Sequence, residues 1–330
     1  MRFENACLSP RHLWSSPFVR WQGSLADVSS LDLAVAVTRD ALAKVQFDPA
    51  RVSQIVLGTT IPQPQSFYGA PWIAARLGMT GVSGPHIAQA CATSVACLVA
   101  AAQVVEVDGA MTSLVVTADR TSNGPLLVYP RSQSAGGAPA TEHWVLDNFA
   151  ADPWTGEAMV QTAEAVARDG AMSRGALDAV TLLRYSQYQR SLADDRAFQR
   201  RWMQPVNIAK GKSRFLVESD EGVHPYTAEG LAALKPAIPD GVTTYGSQTH
   251  PADGSAGAAV CNAAGARELA QGDGVVRLLS AGFARAEKGR MPKAATLAAQ
   301  RALAMAGIGI DQVKLVTTHN PFAVNDLWFA

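Results

Sequence analysis

The sequence predicts an α/β protein built from duplicated helix-and-strand units with an inserted cap, and three observations carry that expectation. A helix feeds a buried strand between residues 31 and 57, the same order returns between residues 292 and 318, and a strand at 113–117 follows an apolar helical run as in a βαβ unit. Composition agrees, since 330 residues with 48% hydrophobic and 17% charged side chains can bury a large core.

Apolar residues recur at helical spacing over 31–45, Asp48-Pro49 marks a turn, and 52–57 reads as a short buried strand ending at Gly58. Residues 84–90 then lead into Cys91 and a run of helix formers over 95–107, followed by the strand 113–117. From 121 to 242 the chain is rich in Gly, Pro, Trp and Arg, with helical signals at 155–169 and 174–201 and turn signals at Gly124-Pro125, Gly136-Gly137 and Asp152-Pro153. This stretch is read as a cap contributing ligand contacts. Near the other end, 292–306 reads as a helix, 307–311 as a break and 313–318 as a strand.

Ala41-Leu42-Ala43 matches Ala302-Leu303-Ala304, and Val52 matches Val313, at one constant offset. An internal duplication is expected; the alternative is that two Ala-rich helices before strands match by chance. The counterpart of Cys91 would fall beyond the last residue, so the second half is expected to lack its later strands and central helix. The expected division is 1–120 with 243–270 as the first half, 121–242 as the cap, and 271–330 as a partial second half.

Lys and Arg total 28 and Asp and Glu total 28, which sets up no long-range field to gather nucleic acid or an anionic membrane. The first ten residues contain no apolar leader core, and no apolar stretch approaches the roughly 20 residues of a membrane span, so a cytoplasmic protein is expected. The four cysteines, Cys7, Cys91, Cys97 and Cys261, lack CxxC spacing and a nearby histidine cluster, which favours thiols over disulfides or zinc.

Cys91 lies directly before the helical run, where unpaired backbone N–H groups and the helix dipole favour a thiolate, and Thr93 and Ser94 are placed to cap the same end. The alternative is a buried small apolar residue, the reading that suits Cys97 inside the helix. His319 and Asn320 follow the second predicted strand, where an imidazole or amide could donate to a developing oxyanion; a structural histidine is the alternative. Residues 248–259, with His250 and many small side chains, allow close approach of a ligand, or form a tight turn before Val260 resumes a strand. Lys210, Lys212 and Arg214, with Arg200 and Arg201 upstream, could clamp phosphates of a carrier such as coenzyme A, or form a solvated surface strand.

Together these segments resemble the thiolase family over nearly the whole chain. Ala90-Cys91-Ala92-Thr93-Ser94 looks like the nucleophile motif, in which Cys-Ala-Ser-Gly is usual; Thr93 and Ser94 depart from it. His319-Asn320-Pro321-Phe322-Ala323 resembles the Asn-Glu-Ala-Phe motif, with His319 at the Asn position as in the His-Asp-Cys-Phe variant of sterol-carrier-type thiolases. Residues 253–259 resemble the small-residue segment preceding the last strand of the first half, and 115–123 fit the strand and loop after the nucleophile helix.

The resemblance implies a five-layered αβαβα core of two similar halves, here with the second incomplete. It implies acyl transfer between coenzyme A thioesters without a metal or redox cofactor, with Cys91 taking the acyl group and His319 binding the thioester oxygen of the second substrate. Thr93, Asn320, Phe322, His250, Lys210, Lys212 and Arg214 are the accompanying substrate-binding candidates. Partners implied are acyl-CoA, a second copy of the chain or, as in atypical thiolases, a small zinc-ribbon/OB protein. The family's Gly-His-Pro and Cys-x-Gly loops are absent, so the chain alone is expected to be impaired in carbon–carbon bond chemistry. A non-catalytic acyl-CoA-binding or structural subunit is the alternative, and a ketoacyl synthase ranks below both. The aromatic and apolar residues Phe322, Leu327, Trp328 and Phe329 are expected to be exposed.

Overall fold

The computed structural model of the chain describes residues 1–131, 133, 135–210 and 213–330, and only the backbone at 210 and 213. In chain order the first elements are β1 (Cys7–Ser15), β2 (Val19–Arg20), α1 (Ser30–Lys44), β3 (Gln54–Gly58), α2 (Gly69–Arg76), β4 (His86–Ile87), α3 (Thr93–Val107) and β5 (Ser113–Asp119). The stretch expected to form a cap contributes β6 (Leu126–Tyr129), β7 (Ala140–His143), α4 (Leu146–Ala150), α5 (Met159–Asp169), α6 (Arg174–Ser191), α7 (Ala193–Arg196), β8 (Val206–Lys210), β9 (Ser213–Val217) and α8 (Ala228–Ala232). The chain continues with β10 (Ala252–Cys261), α9 (Ala263–Ala270), β11 (Val276–Arg277), α10 (Ala294–Ala306) and α11 (Ala323–Phe329).

The main sheet runs β11-β1-β10-β5-β3-β4, with β2 added on β10. β3 is parallel to both β4 and β5, whereas β10 is antiparallel to β5 and β1. Strand parity assigns the two faces. Ile55 and Leu57 of β3 and Leu114 and Val116 of β5 join Leu31, Val35 and Leu42 of α1 in one apolar cluster. Val56 and Val115 instead join Cys97, Val99, Ala102 and Val105 of α3 in another.

The βαβ run of the first half is therefore present, and β5 extends two residues past its expected end. Ala90–Val107 is long and apolar enough to cross a membrane by length and composition alone, which corrects the expectation that no apolar stretch approaches a membrane span. Its packing on the sheet accounts for the inner residues. On the outer side Val95 is 52% exposed and Val107 90%.

β10 corrects one expectation. The small-residue stretch read as a turn before Val260 is itself the central strand of the sheet. Gly, Ala and Ser have low strand propensity, but here they make room for aromatic rings. An added Cβ on Gly257 would stand 2.2 Å from Trp14 Cζ2, and one on Gly254 2.6 Å from Phe18 Cδ1.

The second helix–strand repeat is corrected as well. α10 forms where expected and ends on Gly307 at φ 72°, but residues 313–318 form no strand among the described residues, and Leu315 is 84% exposed. A strand needs a partner for its backbone groups, and no neighbouring strand is offered to this segment. α6 ends at Ser191 rather than at 201, because Asp194 and Asp195 take left-handed conformations at φ 51° and 54°.

The last residues also depart from the exposed aromatic tail expected. Phe322 is buried, Leu327 and Trp328 are half-buried, and all three pack with α5 and α6 in a third apolar cluster. Asp326 of α11 fixes that docking: its carboxylate accepts from Arg184 Nε at 2.7 Å and Asn320 Nδ2 at 2.9 Å, and from the Thr318 hydroxyl.

Candidate active site

The polypeptide leaves β4 and turns sharply before α3. Ala90 takes φ 43°, a left-handed conformation costing a non-glycine residue on the order of 1 kcal/mol, and residues 90–92 form one 3₁₀ turn. Thr93 pins this turn. Its buried hydroxyl accepts from Gln89 N at 2.8 Å and donates to Ala90 O at 2.7 Å, so it ties the chain back rather than capping α3. No side chain caps the start of α3, and Cys91 is presented there as an exposed residue, the only one of the four free cysteines that is not buried.

The thiol does not behave as the helix position alone predicts. Burial by the surrounding protein pushes the Cys91 thiol up, the charge of Asp119 adds to that, and a backbone N–H contact opposes it. Cys91 is exposed at its open side, where water softens the desolvation, and Asp119 is a smaller contribution than burial.

Asp119 ends β5 and was not singled out from sequence. Its Oδ1 accepts from Thr60 N at 2.8 Å and Ile61 N at 2.9 Å, and its Oδ2 from Thr60 Oγ1 at 2.5 Å. Trp144 from the stretch beyond β7 donates to Thr60 O at 2.8 Å. Burial pushes the Asp119 carboxyl up against these hydrogen bonds, with Asp253 adding to the rise. The available signal was a carboxylate at the C-terminal edge of a buried parallel strand, the edge where α/β sheets place their sites.

Gly58 is the close approach beneath the nucleophile. A Cβ there would stand 2.7 Å from Cys97 Sγ, 2.8 Å from Thr93 Cγ2 and 2.9 Å from Thr117 Cγ2. His86 lies on the other face of the sheet, paired with Leu57, and its Nε2 is 2.7 Å from Thr59 Oγ1. His86 is exposed, and the protein packed around part of its ring lowers its imidazole from the ordinary value.

The His319 and His250 segments come together. Gln248 bridges Phe322, Thr249 N donates to Pro321 O at 2.8 Å, and Ala323 N donates to Ser247 O at 2.9 Å. His319 is exposed, and the protein packed around its ring moves the imidazole below its ordinary value, an effect that water at the open side softens. Cys91 Sγ and His319 are not hydrogen-bonded to one another, and no side chain hydrogen-bonds Cys91 Sγ among the described residues.

Asn320 is committed to Asp326, and Phe322 to packing. His250 faces Pro251 O at 2.9 Å and Gly222 O at 3.2 Å, and a neutral ring can donate to only one of them. Arg214 is exposed on β9, Lys210 pairs with Ser213 through the backbone of the β8–β9 hairpin, and Lys212 lies outside the described residues. No cluster of three or more metal-ligating side chains occurs among the described residues.

The profile of the thiolase N-terminal domain matches residues 14–264. The chain belongs to the thiolase family. Curated thiolase relatives include the acetyl-CoA acetyltransferase of Escherichia coli, 26% identical over 319 residues that cover 93% of this chain and 78% of that protein. The beta-ketothiolase BktB of Cupriavidus necator is 26% identical over 311 residues, covering 91% and 77%. The thiolase fold is seen in solved structures too. The Bacillus anthracis acetyl-CoA acetyltransferase superposes with a TM-score of 0.85 at 22% identity, covering 99% of this chain and 83% of that one. Human mitochondrial 3-ketoacyl-CoA thiolase in complex with CoA gives 0.87 at 21% identity, covering 100% and 82%.

Proposed function

We propose that this thiolase-family chain is an acyl-CoA C-acyltransferase in which Cys91 carries the acyl group as a thioester. The observation that carries the reading is the exposed Cys91 on a strained turn, at the uncapped start of the central helix of a thiolase fold. In the first half-reaction the Cys91 thiol gives up its proton to water, its sulfur attacks the thioester carbonyl, and coenzyme A leaves as a thiolate that takes up a proton, so one thioester is exchanged for another. Free N–H groups at the start of α3 favour negative charge near the sulfur. His319, shifted towards the neutral form and without a carboxylate partner among the described residues, is suited to donate a hydrogen bond to the carbonyl oxygen of the second substrate. The chemistry asks for no metal or redox cofactor, and Arg214 with its neighbours on the β8–β9 hairpin is the proposed contact for carrier phosphates.

A second reading is an acyl-CoA-binding or structural subunit completed by another polypeptide. It is favoured by the lack of a hydrogen-bonded base at Cys91 among the described residues and by the raised thiol. Intact-mass measurement after incubation with acetyl-CoA and longer acyl-CoAs separates the two. The first reading expects a mass gain equal to the acyl group that disappears in Cys91→Ala. Coenzyme A binding by folded protein with no adduct from any thioester would leave the second.

A further inference from the structure

We propose that Asp119 is a positioning residue for the nucleophile: fixed on the α3 side of the sheet and level with the turn that carries Cys91, its carboxylate raises the pH at which the sulfur becomes reactive. The inference deepens the acyl-Cys91 reading and rests on it for its catalytic meaning, but the geometry stands by itself.

Three observations place Asp119 beside the turn. First, parity: Val115 packs in the cluster of α3, whereas Leu114, Val116 and Ala118 pack in the cluster of α1, so Asp119, four residues beyond Val115, lies on the α3 face. Second, depth: Gly58 pairs with Thr117, and a Cβ on Gly58 would meet both Thr117 and Thr93, which puts residue 117 level with the first turn of α3. In a βαβ run the helix returns antiparallel to its strands, so two residues further along β5, roughly 6.6 Å, lies level with the residues before Thr93. Those residues are the 90–92 turn. Third, fixation: three hydrogen bonds from Thr60 and Ile61 hold both carboxylate oxygens, and Trp144 holds Thr60 from outside.

Burial is the larger influence on the thiol, and Asp119 is the charged group that adds to it among the described residues. No Lys or Arg makes an ion pair with Asp119 among the described residues. Arg120 follows β5, its Nη2 donates to Asn123 O at 3.4 Å, and its buried Nε has no hydrogen-bond partner among the described residues. Asp253 lies on the neighbouring strand, its Oδ1 held by Thr121 N at 2.7 Å and Ser122 N at 2.9 Å, with its buried Oδ2 unpartnered. His86 is across β3, on the other face and bonded to Thr59. The rise of the Cys91 thiol by burial and by the Asp119 charge agrees with this arrangement.

The test is the pH profile of Cys91 alkylation by iodoacetamide on the full chain, read by peptide mass spectrometry, in wild type, Asp119→Asn and Asp253→Asn. Asn keeps the volume and the Oδ1 acceptor while removing the charge. Asp119→Asn is expected to move the midpoint to lower pH, and Asp253→Asn to move it less. The rate at pH 7 is expected to rise, by roughly the square root of the gain in thiolate, because a more acidic thiol is less nucleophilic. Should Asp119→Asn fail to fold, Asp119→Ser, which also removes the charge and keeps a hydroxyl for the Thr60 and Ile61 donors, must move the midpoint to lower pH as well. An unmoved profile in the folded variants, or a larger shift with Asp253→Asn, overturns the proposal. Alkylation needs no thioester, so a missing acyl adduct with the expected shift counts against the acyltransferase reading alone.

Discussion

Four thiols in one chain differ only in where the fold puts them. Burial pushes Cys97 up to about 12 and Cys261 up to about 11, and it also raises Cys7, while Cys91 keeps an open side. Native protein at mildly alkaline pH should take up one iodoacetamide, at Cys91, and unfolded protein four; a second adduct on native protein would contradict the burial assigned to the others. Cys91 was legible because its signal is local, a cysteine at the start of a helical run, and Cys97 served as its core counterpart six residues later. Asp119 was not legible. Its role depends on which face of β5 carries α3, and alternation along a strand with buried residues on both sides does not reveal that.

At the scale of elements, the contact between β3 and α3 sets the level of the nucleophile turn. Gly58→Val would drive a branched side chain into Cys97, Thr93 and Thr117, an overpacking of about 1–3 kcal/mol with displacement of the Thr93 hydroxyl that pins Ala90. Thermal melting should show the loss, and acylation of Cys91 should fall further than stability alone accounts for; a variant with unchanged Tm and adduct yield would remove Gly58 from the account. α1, β3, α3, β5 and α10 were readable because apolar spacing and flanking turn residues agreed on each. β10 was not, since its strand character comes from Trp14 and Phe18 filling the space its small residues leave. Residues 313–318 erred in the other direction: a β-branched run suggests a strand, but pairing needs a neighbour that local sequence cannot supply.

For the molecule as a whole, acid should act first through His12 on β1. The ring is buried against Phe47, Nδ1 lies 3.2 Å from Ser9 Oγ and Nε2 has no partner. Burial, with the charges of Arg11 and Arg51 behind it, pushes the imidazole down from 6.5 to about 4. The folded state thus binds its proton later than the unfolded state. The corresponding stability is present above pH 6.5 and is lost as pH falls towards 4, by up to about 3 kcal/mol. Urea unfolding across that window should show the decline, and His12→Leu should flatten it; an equal slope in the variant would assign the loss to other groups.

The register between β5 and β10 sets Asp119 opposite Gly254, so the long excursion from residue 120 to 253 leaves and re-enters the sheet at adjacent points. Closing a loop costs only about (3/2)RT ln n, which means that its length hardly matters to the scaffold once the two ends are side by side. Insertions and deletions at the exposed tips of the intervening elements are therefore open to evolutionary drift, whereas Val206, Ile208 and Val217 pack in the core beneath and Trp144 holds Thr60. A lineage could acquire a new appetite for ligands here without having to relearn how to fold.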